Sequence, residues 1–162
     1  MQRIADGSLV VLVGPSASGK STWAAAHFRP DEIVSSDRLR AVVGTGERDL
    51  AASADAFSVL ELVVAARVRR RLTTVVDTLG LDPARRAAWR ELAARAGAPC
   101  VAVAVGTPAA ECRRRNAARP PGERLPPKVL GGQLAAFAEQ RPGLDAEGFD
   151  TVLEAAPVRP PA

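Results

Sequence analysis

The 162-residue sequence predicts an α/β domain in which helices flank both faces of a parallel sheet of five strands. Two observations support this fold class. Short apolar runs rich in β-branched residues alternate with longer segments whose apolar residues recur at helical spacing. The first apolar run, Leu9–Val13, leads directly into a glycine-containing segment and then into a helical pattern. This order is typical of a domain that binds phosphate at the carboxyl end of its first strand.

The segment from Gly14 to Ser21 fits G-x-x-x-x-G-K-[ST], the pattern of a P-loop. Its glycines allow the backbone to come close to a ligand, and its N–H groups form an anion nest at a helix N-terminus. We expect Lys20 to reach the β- and γ-phosphates of an NTP such as ATP, and the Ser21 hydroxyl to bind Mg²⁺. The predicted nucleotide-binding residues in this segment are Gly14, Pro15, Ser16, Ala17, Ser18, Gly19, Lys20, Ser21 and Thr22.

The first half of the chain is predicted to contain two strands and two helices. Residues 38–43 also have a helical pattern, but Gly44-Thr45-Gly46 ends it, and we interpret this region as a flexible surface loop. Asp49 is the expected N-cap of a long amphipathic helix, and the arginines at its end suit the helix dipole better than a nucleic-acid contact. The predicted elements are a strand at 9–13, a helix from 20 to about 28, a turn at 30–32, a strand at 33–37 and a helix at 50–71.

The second half continues the alternation. Asp82-Pro83 and Thr107-Pro108 each combine an N-cap residue with a proline at the first helical position. We predict one domain over residues 1–154 and an Ala/Pro-rich tail at 155–162, which is a potential link to a fused or partner domain. The predicted elements are strands at 73–77, 100–105 and 149–153, helices at 83–96, 107–118 and 128–140, and a proline-bounded loop at 119–127.

Composition excludes several classes of protein. With 47% apolar and 25% charged residues the chain is an ordinary globular sequence. The spacing of Cys100, Cys112 and His27 is not typical of a zinc site. No signal peptide and no apolar stretch of about 20 residues is visible, so we expect a cytoplasmic protein without a membrane contact. The net charge of +4 is carried almost entirely by arginine, which codon bias in a GC-rich genome largely explains.

Asp37 is the candidate general base of a phosphoryl transfer. A carboxylate at a strand end beside the γ-phosphate can accept the proton of an attacking hydroxyl. Arg40 follows three residues later, so both side chains point the same way if this stretch is helical. A base beside an arginine suits an acceptor that carries a hydroxyl and a nearby anion. The alternative role for Asp37 is that of a helix N-cap.

Four further residues are candidates for the same chemistry. Asp77 ends a valine-rich strand and is a candidate acid for a metal-bound water, or else a strand-end turn residue. Arg115, Arg119 and, more weakly, Arg124 lie around the loop at 119–127, which we call the lid. These arginines would stabilise charge on the γ-phosphate oxygens, or else are solvated surface charges.

These motifs together resemble the 5′-OH polynucleotide kinase family over about residues 9–140. The matching residues are the P-loop, Ser35-Ser36-Asp37-Arg38-Leu39-Arg40, Val75-Val76-Asp77, and the series Cys112, Arg115-Asn116, Arg119, Arg124 and Pro126. The similarity is greatest to the kinase domain of bacterial polynucleotide kinase–phosphatases and to the phage polynucleotide kinase. It implies a P-loop NTPase fold of the mononucleotide-kinase type with an arginine-containing lid.

The resemblance also implies roles for individual residues. Asp37 would be the general base, Arg40 would bind the acceptor phosphate next to the 5′-OH, and Arg115 and Arg119 would belong to the lid. The reaction would move the γ-phosphate of an NTP to a 5′-hydroxyl end of RNA or DNA. The sequence departs from the family in two places: Asp77-Thr78-Leu79-Gly80 lacks the usual asparagine, and Gly122 stands where the lid has its third arginine.

We therefore hypothesise a Mg²⁺-dependent polynucleotide 5′-kinase in which Lys20, Asp37, Arg40 and Arg119 are catalytic and Ser21 and Asp77 serve the metal. Aromatic residues make up only 4% of the chain, which favours contact with terminal nucleotides over extended stacking. Two alternatives stay open: a small-molecule kinase acting on an antibiotic, sugar or metabolite, and an NTP-binding module that regulates a partner and transfers nothing.

Overall fold

A computed structural model describes residues 3–155, which form one five-stranded sheet flanked by six α-helices. The strands are parallel and their order is β2-β3-β1-β4-β5. The predicted fold class is thus confirmed. The strands are β1 Leu9–Val13, β2 Ile33–Ser35, β3 Thr74–Asp77, β4 Cys100–Ala104 and β5 Thr151–Glu154. The helices are α1 Lys20–His27, α2 Ser36–Val43, α3 Ser53–Arg69, α4 Pro83–Ala96, α5 Ala109–Ala118 and α6 Pro127–Gln140.

The central strand β1 is buried along its whole length. Leu9, Val11 and Val13 face a core that α3 and α4 cover, while Val10 and Leu12 face a second core beneath α1. A strand buried on both faces reads as a continuous apolar run, which is why Leu9–Val13 was recognisable in the sequence. Burial on both sides fixes the position of the P-loop that follows it.

The region after β2 differs from the prediction. The strand ends at Ser35, and the residues interpreted as a surface loop form α2, Ser36–Val43. The Ser35 hydroxyl accepts a hydrogen bond from the backbone N–H of Arg38 at 3.4 Å and so caps the helix. The predicted strand at 33–37 was therefore two residues too long, because the cap at Ser35 starts a helix there.

Local capping also differs from prediction at two other helices. Asp49 accepts hydrogen bonds from the backbone and hydroxyl of Thr45 and makes no side-chain cap; a 3₁₀ turn, Leu50–Ala52, separates it from α3. Thr107 does not cap α5, since Pro108 occupies the N-cap and the Thr107 hydroxyl donates to the Ser18 carbonyl at 2.6 Å. The predicted cap at Asp82 is present, since the Ala84 N–H donates a hydrogen bond to Asp82 Oδ1 at 2.9 Å.

The chain segments near the C-terminus are more ordered than the sequence indicated. A 3₁₀ helix, Pro121–Glu123, lies inside the lid, and another, Arg141–Ala146, follows α6. Ala155, the first residue of the predicted tail, is buried and its N–H donates to the Ala104 carbonyl. Residues 156–162 of that tail lie outside the described residues. Across 3–155, the helices are all too short or too polar to cross a bilayer.

Two arginines of the cluster at the end of α3 have structural contacts. Arg67 donates to the Thr73 carbonyl at 2.9 Å, and Arg71 donates to the Gly97 carbonyl at 2.8 Å. These bonds hold the turn between α3 and β3 against the end of α4. They fit the structural interpretation of this cluster that the sequence favoured.

Gly80 is the backbone position at which we expect a substitution to be most harmful. Its φ is +64°, and a Cβ there would lie 2.1 Å from the Leu12 carbonyl oxygen. Gly80→Ala is expected to lower the free energy of unfolding by at least about 2 kcal/mol, because it adds left-handed strain to a backbone clash. Urea denaturation measures the change.

Gly143→Ala is the matched control, since a Cβ at Gly143 meets nothing within 4 Å. It is expected to change stability by less than about 0.5 kcal/mol. Equal effects of the two substitutions would contradict the packing of the segment after β3 against β1.

Candidate active site

A cleft of about 1120 Å³ opens at the carboxyl edge of the sheet. The P-loop, the start of α2, the segment after β3, α4 and the lid contribute its lining. Gly14, Pro15 and Ser18 lie behind the lining as the support of the loop. The cleft brings together most of the residues that the sequence singled out: Ser16, Ala17, Gly19, Lys20, Ser21, Thr22, Asp37, Arg40, Asp77, Arg115, Arg119 and Arg124.

The P-loop is held by contacts that its own sequence does not reveal. Gly19 has φ +97° and Ala17 has φ +62°, so the loop curls through the left-handed region twice. The Ser16 N–H donates to the side-chain carbonyl of Gln133 on α6 at 2.9 Å. This bond and the bond from the Thr107 hydroxyl to the Ser18 carbonyl hold the loop at two points. A pre-shaped loop loses little entropy when it binds an anion.

Lys20 is almost completely buried, with 8% of its surface exposed. Its Nζ donates to the Pro15 carbonyl at 2.7 Å. Burial lowers the pKa of Lys20 from 10.5 to about 8, while the charges of Asp77 and Asp37 oppose that shift. The ammonium group therefore lies in an environment that favours a further negative charge, such as a phosphate, close to it.

Ser21 and Asp77 form a hydrogen-bonded pair of oxygen-bearing side chains beside Lys20. The Ser21 hydroxyl donates to Asp77 Oδ2 at 2.7 Å. Burial raises the pKa of the Asp77 carboxyl, and the Ser21 bond and the Lys20 charge act in the opposite direction. A hydroxyl and a carboxylate are the oxygen donors that Mg²⁺ prefers, so the residues present fit that ion. Asp77 also ends β3, as predicted.

Asp37 and Arg40 form a pair on α2. Asp37 lies in the first turn, Ser35 is the cap, and the alternative role of Asp37 as an N-cap is therefore wrong. Arg40 Nη2 donates to Asp37 Oδ1 at 2.5 Å, and Arg40 Nε donates to the Glu47 carbonyl at 2.7 Å. The Asp37 side chain is 61% exposed and is among the residues that line the cleft.

The predicted lid arginines differ in their contacts. Arg115 lies on α5 against the P-loop, with Nη1 3.4 Å from the carbonyls of Ala17 and Ser18 and Nε donating to Glu111. Arg119 lines the cleft at the C-terminal end of α5. Arg124 donates to the Arg119 carbonyl at 2.6 Å and so holds the lid backbone. Arg115 thus contacts the P-loop, Arg119 lines the same cleft, and Arg124 has a structural contact.

An ion pair missed by the sequence analysis joins the two sides of the cleft mouth. Arg48 lies between α2 and α3, and Glu123 lies in the lid. Arg48 Nη2 is 3.1 Å from Glu123 Oε2, and Nη1 donates to the Glu123 carbonyl at 3.0 Å. Both side chains are about half exposed. Residues this far apart in the chain carry no local pattern that indicates their contact.

Arg86 is a second residue that the sequence analysis missed. It is 1% exposed, lines the floor of the cleft and forms a bidentate pair with Glu147 at 2.9 and 2.6 Å. It also donates to the Gly80 carbonyl at 2.7 Å and to the Gln140 side chain at 2.9 Å. These bonds tie the segment after β3 to α6 and to the residues beyond it. A buried arginine on a helix carries no distinct sequence signal.

The sheet order, the P-loop and the cleft define a P-loop NTPase with a kinase-like fold. A family model described as an AAA domain matches residues 9–141, and the chain belongs to that family. A search of curated proteins gives no match.

Solved structures show the same fold at low sequence identity. Kti12 from Chaetomium thermophilum, in complex with ADP-AlF3, superimposes with a TM-score of 0.61 and 20% identity over 91% of this chain and 88% of its own. A gluconokinase from Sinorhizobium meliloti superimposes with a TM-score of 0.60 and 20% identity, over 97% of this chain and 86% of its own. The Mycobacterium tuberculosis APS kinase CysC, in complex with AMPPNP and APS, superimposes with a TM-score of 0.52 and 23% identity, over 97% of this chain and 85% of its own.

The lowered pKa of Lys20 predicts how stability depends on pH. Between about pH 8 and pH 10.5 the unfolded chain binds a proton at Lys20 that the folded chain has released. The free energy of unfolding of the protein relative to Lys20→Met is therefore expected to rise across this interval, by up to about 3 kcal/mol. Urea denaturation of both proteins at a series of pH values measures it. A flat or falling difference would contradict the burial of the ammonium group.

The Arg48–Glu123 ion pair is expected to limit opening of the cleft mouth. Arg48→Glu places two like charges together and should increase amide exchange at Glu123 roughly two- to fivefold. The effect is modest because the pair is half exposed and solvent screens its charges. Hydrogen exchange measured by NMR detects the change, and the swap Arg48→Glu with Glu123→Arg should reverse most of it.

Arg29→Glu is the control, because Arg29 pairs with Asp31 and Glu32 on the surface outside the cleft. It should leave exchange at Glu123 unchanged. Equal exchange in Arg48→Glu and the parent protein would show that the pair does not hold the mouth.

Proposed function

We propose that this protein is an NTP-dependent phosphotransferase that moves a γ-phosphate to a hydroxyl group. The observation that carries the proposal is the placement of Asp37 in the same cleft as Lys20 and the P-loop. A carboxylate on the acceptor side of a phosphate cradle is the group that such a transfer needs to receive the hydroxyl proton. The folds of a gluconokinase and an APS kinase agree with this class of reaction.

Each side chain has a distinct task in the proposed reaction. Asp37 orients the attacking hydroxyl and takes its proton, and Arg40 holds Asp37 in place through its 2.5 Å bond. Lys20, Arg115 and Arg119 lie against charge that develops on the transferred group. Ser21 and Asp77 would hold Mg²⁺, which would neutralise part of the charge on the phosphates of the NTP.

For the acceptor we propose a 5′-hydroxyl end of RNA or DNA. Two of the Arg40 nitrogens are used by Asp37 and Glu47, which leaves N–H groups of the same guanidinium for the phosphate next to the 5′-OH. The positive net charge and the resemblance to 5′-OH polynucleotide kinases support this choice.

The second candidate is a small-molecule acceptor. The Arg48–Glu123 pair favours it, because a link between the lid and the segment between α2 and α3 leaves less room for a polymer than for a small substrate. The neighbours in fold include enzymes named for small acceptors, a gluconokinase and an APS kinase. Steep salt dependence of acceptor binding distinguishes the nucleic acid from a small molecule with little charge.

Asp37→Asn is expected to lower the rate of transfer to a 5′-OH oligonucleotide about 10²- to 10⁴-fold, because the amide cannot accept the proton. NTP affinity should change less than about threefold, since the P-loop is untouched. Labelled ATP with Mg²⁺ measures transfer, and isothermal titration with a non-hydrolysable ATP analogue measures affinity.

Asp55→Asn is the control, because Asp55 occupies the first turn of α3 as Asp37 occupies that of α2, but lies outside the cleft. Near-normal turnover by Asp37→Asn would remove the base assignment. Slow hydrolysis with no stimulation by any acceptor in a panel of oligonucleotides and metabolites would instead favour the non-transferring module.

A further inference from the structure

The cleft contains a stacked pair that the proposed reaction does not use. Phe57 on α3 and Arg85 on α4 both line the cleft, and the guanidinium carbon of Arg85 lies 4.1 Å above the centroid of the Phe57 ring. Phe57 is half-buried, while the Arg85 side chain is 43% exposed. One face of the guanidinium is therefore covered by the ring and the other is open to a ligand.

Two carboxylates balance the charge of Arg85. Its Nη1 is 3.1 Å from Glu61 Oε1, and its Nε is 3.8 Å from Asp82 Oδ2. These partners hold the plane of the guanidinium against the ring and reduce its attraction for anions. Arg85 is thus poorly suited to bind a phosphate. It is suited to stack on a flat, uncharged ring, because Glu61 and Asp82 leave uncovered the face of the guanidinium opposite Phe57.

An exposed apolar side chain also lines the cleft. Leu50 is 72% exposed and lines the cleft together with Phe57 and Arg85. We call these three residues the stacking shelf. Trp89, which is 6% exposed, also contributes to the lining of the cleft. A large apolar side chain left in water gains from covering by an apolar ring.

We infer that the stacking shelf binds the base of the 5′-terminal nucleotide of the acceptor, with the base lying on the open face of Arg85 and its edge against Leu50. The inference rests on the proposed function and specifies its substrate: an acceptor that carries a planar, uncharged ring. It also accounts for recognition by a chain with few aromatic residues, since a single stacking position requires only one ring.

The experiment compares two 5′-OH DNA trinucleotides that differ only in the first residue, which is adenosine in one and an abasic tetrahydrofuran in the other. Isothermal titration is performed with protein saturated with a non-hydrolysable ATP analogue. The parent protein is expected to bind the base-containing trinucleotide roughly 5- to 150-fold more tightly, the range for stacking of one base.

Two variants test the shelf itself. Arg85→Lys keeps the charge and its carboxylate partners but removes the planar group, and Phe57→Leu keeps an apolar side chain but removes the ring. Each is expected to reduce the preference for the base to less than about threefold, with unchanged thermal unfolding as the check on folding. Leu62→Ala is the control, since Leu62 is 72% exposed on α3 and lies outside the cleft lining; it should keep the full preference.

The outcomes separate this inference from the proposed function. Equal affinity for the two trinucleotides, or no binding of either, overturns the proposal of the stacking shelf. If both are bound equally and both are phosphorylated, the proposed kinase activity still holds. A base preference that Arg85→Lys abolishes, with no phosphate transfer to either trinucleotide, supports the shelf and removes the kinase activity. A preference that survives both Arg85→Lys and Phe57→Leu also overturns the shelf.

Discussion

The ammonium group of Lys20, held almost out of water, is the constraint on which the rest of the site depends. A buried cation is costly unless polar groups surround it, and here the Pro15 carbonyl and the charges of Asp77 and Asp37 do so. These partners come from three different segments. The loop, the end of β3 and the start of α2 must therefore keep their relative positions for the lysine to stay charged.

The sheet provides that relative position. Since β3 lies between β1 and β2, the carboxyl ends of these three strands meet at one edge. Asp77 ends β3, and Lys20 and Asp37 lie on the segments that follow β1 and β2. The strands are short and buried, so their ends cannot shift without exposing apolar surface. The second layer of support is polar: Gln133 and Thr107 bond to the P-loop backbone from α6 and from the segment before α5.

The fold and the phosphate-binding half of the site were predictable because their signals are local. The alternation of buried strands and helices, the P-loop and the cap at Asp82 each lie within a few consecutive residues. The strand–helix boundary at Ser35 was misplaced because Ser35, Ser36 and Asp37 are all plausible caps, and Thr107 was misassigned because its hydroxyl serves a distant carbonyl. The contacts Arg48–Glu123 and Phe57–Arg85 join residues remote in sequence, so no periodicity or motif reveals them.

Arg86 gives the C-terminal part of the chain a direct connection to the floor of the cleft. Its main counter-charge, Glu147, lies beyond residue 141, where the match to the AAA domain family ends. A shortened chain that ended at residue 141 would lack Glu147. The buried guanidinium of Arg86 would then keep its bond to the Gly80 carbonyl but lose the anion that neutralises it. The contacts that hold the floor of the cleft therefore extend further along the chain than the family similarity.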